Sequence, residues 1–186
     1  MRRILIGLVC VLVTLPAWAQ SSMEERKEQQ IKADKARVEN WAYCTGDDPD
    51  LRIKGCTAII QAGSESMTSL AIAYNNRGIA YNGKRDYDMA IADYTHVMAL
   101  APDNADAFIN RAWAYHLKGD DTKALPDANK AVELAPRNAG IVETRAEIYE
   151  KLGQRDRAMA DYRAALQIDP DDARSRQGLQ RLGVAP

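Results

Sequence analysis

Residues 71–102 read AIAYNNRGIAYNGKRDYDMAIADYTHVMALAP, residues 105–136 read ADAFINRAWAYHLKGDDTKALPDANKAVELAP, and residues 139–170 read AGIVETRAEIYEKLGQRDRAMADYRAALQIDP. Laid under one another they share five columns with a constant spacing of 34 residues. The columns are Arg77, Arg111 and Arg145; Tyr81, Tyr115 and Tyr149; Ala90, Ala124 and Ala158; Asp93, Asp127 and Asp161; and Pro102, Pro136 and Pro170. Five independent columns with one period define an internal repeat. Each proline follows the second half of its unit, where its ring stops a helix. Gly119 and Gly153 stand where the chain must reverse, and Arg85 takes that place in the first of the three units. The expected unit is therefore a helix A, a turn and a helix B, stacked so that neighbours bury what one hairpin cannot.

The period and its residues resemble the tetratricopeptide repeat family. The family pattern is met by Tyr74, Gly78, Tyr81, Ala90, Tyr94 and Pro102, by Phe108, Ala112, Tyr115, Ala124 and Pro136, and by Val142, Ala146, Tyr149, Ala158, Tyr162 and Pro170. Ala128 stands where the second set lacks its aromatic residue, and Pro126 falls early in the same helix B, so this unit is expected to pack less tightly. The resemblance implies an all-α solenoid of helical hairpins with regular repeats at 71–104, 105–138 and 139–172. A degenerate first repeat and link is read at 31–70. Its segment Leu51–Gly63 aligns with the helix B that begins at Ala90, placing Cys56 where Tyr94 stands. Residues 173–186 read as a capping helix and tail.

At the other end, Met1-Arg2-Arg3 precedes an apolar run from Ile4 to Leu15, then Pro16 and Ala17-Trp18-Ala19. That order is the signature of a cleaved export signal over 1–19, and the run is too short for a comfortable membrane span. Residues 20–30 are charged and without an apolar stripe, reading as a flexible leader or a fraying helix start. Losing Arg2 and Arg3 takes the formal charge from −1 to −3. Losing Cys10 leaves Cys44 and Cys56, which in an oxidising compartment read as a disulfide stapling the terminal hairpin. The stretch between them resembles exported bacterial repeat proteins. The expected location is the periplasm or the exterior.

Near-neutral charge argues against general binding of nucleic acid, which needs a basic face. No G-x-S-x-G, H-E-x-x-H, phosphate loop or dinucleotide fingerprint is present, so no catalytic, metal or cofactor site is assigned. His96 falls on an outward position of helix B and reads as a surface residue. The repeated Arg77/Asp93, Arg111/Asp127 and Arg145/Asp161 pairs are either an anion-binding ladder or ion pairs between helices. The matched carboxylate at a fixed offset favours ion pairs.

The family resemblance places partner binding on a concave face of helix A. Asn75, Asn76, Ile79 and Asn82 lie there in one repeat, Ile109, Asn110, Trp113 and His116 in the next, and Glu143, Thr144, Glu147 and Glu150 in the last. Family clamps for C-terminal carboxylates place Lys, Arg and Asn at such positions. This chain has the Asn without the cations, so binding of chaperone tails is not expected. Trp113 is either an exposed anchor or packed between adjacent helices A. The glutamates suggest a partner carrying Lys or Arg. The expected function is a non-catalytic scaffold for a protein or peptide. The alternative is a structural or assembly subunit of an envelope complex acting through self-association.

Overall fold

A computed structural model of the protein describes residues 17–185. Among them are nine helices and no strand: α1 Ala17–Thr45, α2 Pro49–Ala62, α3 Met67–Gly83, α4 Tyr87–Leu100, α5 Ala105–Lys118, α6 Asp121–Leu134, α7 Ala139–Lys151, α8 Arg155–Ile168 and α9 Ala173–Arg181. The chain divides into two units at Val38/Glu39. In the first, the side chains from Met23 to Val38 are exposed, and Glu28 pairs with Lys32 one turn on at 2.7 Å. The charged stretch 20–30, expected as a leader or fraying start, is helical within α1. The expected export signal falls on 1–19 and lies outside the described residues except for its last three. No described helix is long and apolar enough to cross a membrane.

The second unit is the expected all-α solenoid of helical hairpins. The pairs α3/α4, α5/α6 and α7/α8 each pack as a hairpin, and α4 on α5 and α6 on α7 join one hairpin to the next. The first helices also touch each other in the order α3, α5, α7, α9, so they form one continuous face. Local chemistry repeats with the same period. The side chains of Asn104, Asn138 and Asp172 cap α5, α7 and α9 by accepting N–H bonds from Ala107, Ile141 and Arg174. In the turns, Asp86, Asp120 and Gln154 each donate a backbone N–H to the repeated tyrosine, Tyr81, Tyr115 or Tyr149. The residue before each donor takes positive φ: Arg85 at 65°, Gly119 at 88° and Gly153 at 71°. Glycine removes the cost of that conformation in two turns, and Arg85 bears it in the third.

Side-chain volumes are matched across the hairpins. A Cβ on Gly78 would lie 2.8 Å from the Tyr94 ring, so only glycine admits the tyrosine there. Tyr94 shares its buried cluster with Ala114 of the following helix. One period later the volumes are exchanged: Ala128 replaces the tyrosine and Ile148 replaces the alanine, both fully buried in one cluster. The loss of the aromatic at 128 is therefore filled from α7, a compensation the sequence reading overlooked. Pro126 lies inside α6, where its missing N–H leaves the Thr122 carbonyl without its helical donor.

Cys44, at the end of α1, and Cys56, on α2, are joined by a disulfide with both residues fully buried. The loop it closes is short, and the expected stabilisation is about 3 kcal/mol. A Cβ on Gly55 would fall 2.6 Å from that of Tyr43, so this glycine lets the two helices close on the disulfide.

Candidate functional site

The repeated arginines are paired within the fold. Arg77, Arg111 and Arg145 each bind the two carboxylate oxygens of Asp93, Asp127 or Asp161 at 2.7–2.9 Å. The remaining Nη1 reaches back to the preceding hairpin, at Thr57, Thr95 or Asn129. Each guanidinium therefore ties its own helix A to its own helix B and to the helix B before it. The hydrogen bonds each arginine donates to its aspartate raise it further above its ordinary range. These are ion pairs between helices, and no free anion-binding ladder remains.

The face formed by α3, α5, α7 and α9 carries three clefts in sequence. The first, of about 330 Å³, lies between α3 and α5 and is lined by Met67, Thr68, Ala71, Ile72, Asn75, Leu100, Ala101, Asn104 and Asp106. The second, of about 260 Å³, lies between α5 and α7 and includes Asp106, Ile109, Asn110, Trp113, Ile141, Thr144 and Arg174. The third, of about 280 Å³, is lined by His116, Glu147, Glu150, Lys151 and Arg181.

At the boundary between the first two clefts the Asn110 side-chain amide donates to the Asn75 oxygen at 3.1 Å. This bond uses one donor group and one acceptor, so the pair keeps one NH₂ and one carbonyl for a ligand. Trp113 is half-buried in the second cleft and stacks on His116, with ring centroids 5.0 Å apart. The His116 Nδ1 lies 2.5 Å from Asp121, which fixes the ring beneath the indole. Ile109, in the same cleft as Trp113, is buried.

Asn76, Ile79 and Asn82 do not line these clefts. Asn82 donates to the Tyr94 hydroxyl at 3.3 Å, while its own amide oxygen is buried without a partner. Burial raises Tyr94 well above the ordinary phenol range. His96 is exposed but stacks on Tyr74 at 4.6 Å.

The acidic end is occupied by the chain itself. Glu143 is 0% exposed and is covered by Arg174 of α9, with 2.8 Å between Nη2 and Oε2. The contact is ionic and poorly directed, since neither carboxylate oxygen receives an aligned hydrogen bond. Burial, and then the neighbouring Glu147, push Glu143 up to about 8. Glu150 accepts two bonds from Arg181 at 3.1 and 3.0 Å and one from the Tyr162 hydroxyl at 2.6 Å. The bond from Arg181 holds its carboxyl below the usual range.

Sequence reading missed Ile72, Asp106 and Arg174, although a signal was present. With Gly140 they form a column of the same 34-residue period at the start of each first helix. Arg181 likewise continues the column of Ile79, Trp113 and Glu147. The capping helix α9 thus extends the face as the first half of a further repeat.

The tetratricopeptide repeat family matches residues 69–137 and again residues 141–172. Comparison with curated proteins gives no match. Among solved structures, the first such domain of Spaghetti (RPAP3), bound to the HSP90 peptide SRMEEVD, is 27% identical over 61% of this chain and 90% of that one, with a TM-score of 0.59. The Arabidopsis OM64 domain is 25% identical over 63% of this chain and 97% of that one, with a TM-score of 0.60. MamA from Desulfovibrio magneticus RS-1 is 18% identical over 82% and 84%, with a TM-score of 0.71, and shares the fold. The family matches together take in more than half of the chain, and it belongs to the tetratricopeptide repeat family.

Proposed function

We propose that this protein is a non-catalytic scaffold that holds an extended protein or peptide segment along the concave face of α3, α5 and α7. The observation that carries this reading is the Asn75–Asn110 pair, which offers a donor and an acceptor side by side at the meeting of two clefts. An extended backbone presents the complementary pair on each exposed edge. Trp113, held rigid by His116, supplies a flat apolar surface beside it. The Spaghetti domain, alike in sequence and fold, is bound to a peptide. The leader-like start of the chain and the buried Cys44–Cys56 disulfide support an exported protein working in the periplasm or outside the cell.

The test is affinity capture from envelope extract with the wild-type protein and with Asn75→Ala/Asn110→Ala as baits. Removing both members of the amide pair leaves no unpaired buried group, so the fold is expected to stay intact by circular dichroism. Capture of a partner should fall about tenfold, from the loss of two hydrogen bonds to a ligand. Equal recovery on both baits overturns the reading. A self-associated oligomer that buries Trp113 and captures nothing would support an assembly role instead.

A further inference from the structure

The first cleft has a chemistry that its neighbours lack. Its wall is apolar, formed by Met67, Ala71, Ile72 and Leu100, with Met67 70% and Ile72 47% exposed on its rim. Large apolar side chains left in water along a concave surface are the ordinary mark of an interaction site. Asp106 is the only charged residue lining this cleft. It sits in the first turn of α5, is exposed, and forms no ion pair among the described residues. Two other carboxylates of the face are spoken for: Glu143 is covered by Arg174, and Glu150 is held by Arg181. The basic preference suggested by the glutamates therefore has no free carboxylate at their end except Glu147, and it moves to Asp106, which lines the first cleft and also the second, where Arg174 stands.

Resting on the peptide-binding reading above, we propose that the α3–α5 cleft selects an extended segment in which an aliphatic side chain is flanked by lysine or arginine. The aliphatic group fills the apolar wall, and the cation sits over Asp106. The polar edge of Asn75 fixes the intervening backbone. Charge complementarity at this cleft is opposite to what an acidic tail requires, so a peptide such as SRMEEVD, which the Spaghetti domain holds and whose one arginine is outweighed by three carboxylates, is disfavoured here.

Fluorescence anisotropy with labelled, end-blocked peptides tests this, using the full protein. The probes are a Leu-Arg peptide, the same peptide with Leu-Glu, one with Gly-Arg, and SRMEEVD. Leu-Arg should bind about three- to tenfold more tightly than Leu-Glu at low salt, and this gap should narrow in 0.5 M salt. Asp106→Lys should reverse the order of Leu-Arg and Leu-Glu, and Ile72→Ser should weaken both Leu peptides while leaving Gly-Arg unchanged. Far-UV circular dichroism of each variant separates lost binding from lost fold. No preference between Leu-Arg and Leu-Glu, or one that Asp106→Lys leaves unchanged, overturns this selectivity. The scaffold reading survives that outcome if Asn75→Ala/Asn110→Ala still weakens peptide binding about tenfold. Tighter binding of SRMEEVD than of Leu-Arg overturns the inference outright. If none of the four peptides binds, both readings fall.

Discussion

Glu143→Gln should stabilise this protein, and by an amount that depends on pH. Glu143 is fully buried on α7, and its carboxyl is raised from 4.5 to about 8, first by burial and then by Glu147, against the pull of Arg174. The guanidinium of Arg174 is 56% exposed and largely hydrated, so its attraction does not repay the desolvation. An acid raised in the folded state binds its proton there at pH values where the unfolded chain has released it. Stability is therefore fully present below about pH 4.5 and falls as pH rises towards 8, where the loss levels off. At about 1.4 kcal/mol per unit, the limit is about 5 kcal/mol. Undocking α9 would let water reach the carboxylate, and the cost of that local opening sets a lower ceiling. An expected penalty of about 2–4 kcal/mol at pH 8 follows. Glutamine keeps the shape and cannot ionise, so it escapes the penalty. Urea and thermal unfolding followed by circular dichroism at pH 5 and pH 8 measure the difference. The variant should match the wild type within about 1 kcal/mol at pH 5 and exceed it at pH 8 by about 4 °C or more, by the usual scaling of about 2–4 °C per kcal/mol. A stability difference that is the same at both pH values would refute the reasoning.

Two further outcomes follow from packing and backbone geometry. Ile148→Ala should cost about 2–5 kcal/mol, because Ala128 opposite it cannot fill the space. Adding Ala128→Tyr and Ala112→Gly should recover part of that loss by recreating the Gly78/Tyr94/Ala114 arrangement, and a triple variant weaker than Ile148→Ala alone in urea titrations would contradict the exchange of volumes. Arg85→Gly should stabilise by about 1 kcal/mol, since Arg85 has φ 65° and glycine adopts that angle freely. An unchanged or lower unfolding midpoint would show that the arginine side chain contributes more than its backbone strain removes.

The helical hairpins were legible because they depend on local rules repeated in register. The 34-residue columns carry the small residues, tyrosines and prolines that any hairpin of this kind needs. The Arg–Asp pairs could be read in the same way, from a fixed offset between two residues of one unit. The third contact of each arginine, to Thr57, Thr95 or Asn129, could not, since it crosses between hairpins and uses a different residue type at the last step. Of the residues read onto the binding face, Asn75, Ile109, Asn110, Trp113, His116, Thr144, Glu147 and Glu150 line clefts. Glu143 lies wholly beneath the surface, and Asn82 is turned to Tyr94.

By itself, then, the sequence determines the repeat, its helices and turns, and the side of each unit that faces its neighbour, because these follow from spacing along one dimension. Only the tertiary structure decides which charges remain available to a partner. Arg174 and Arg181 lie 31 residues beyond Glu143 and Glu150, and α9 folds back to cover the glutamates with them. The same stacking leaves Asp106 open beside an apolar cleft. A charge is free or spent according to what lies within a few ångströms of it, and a linear pattern does not record that distance.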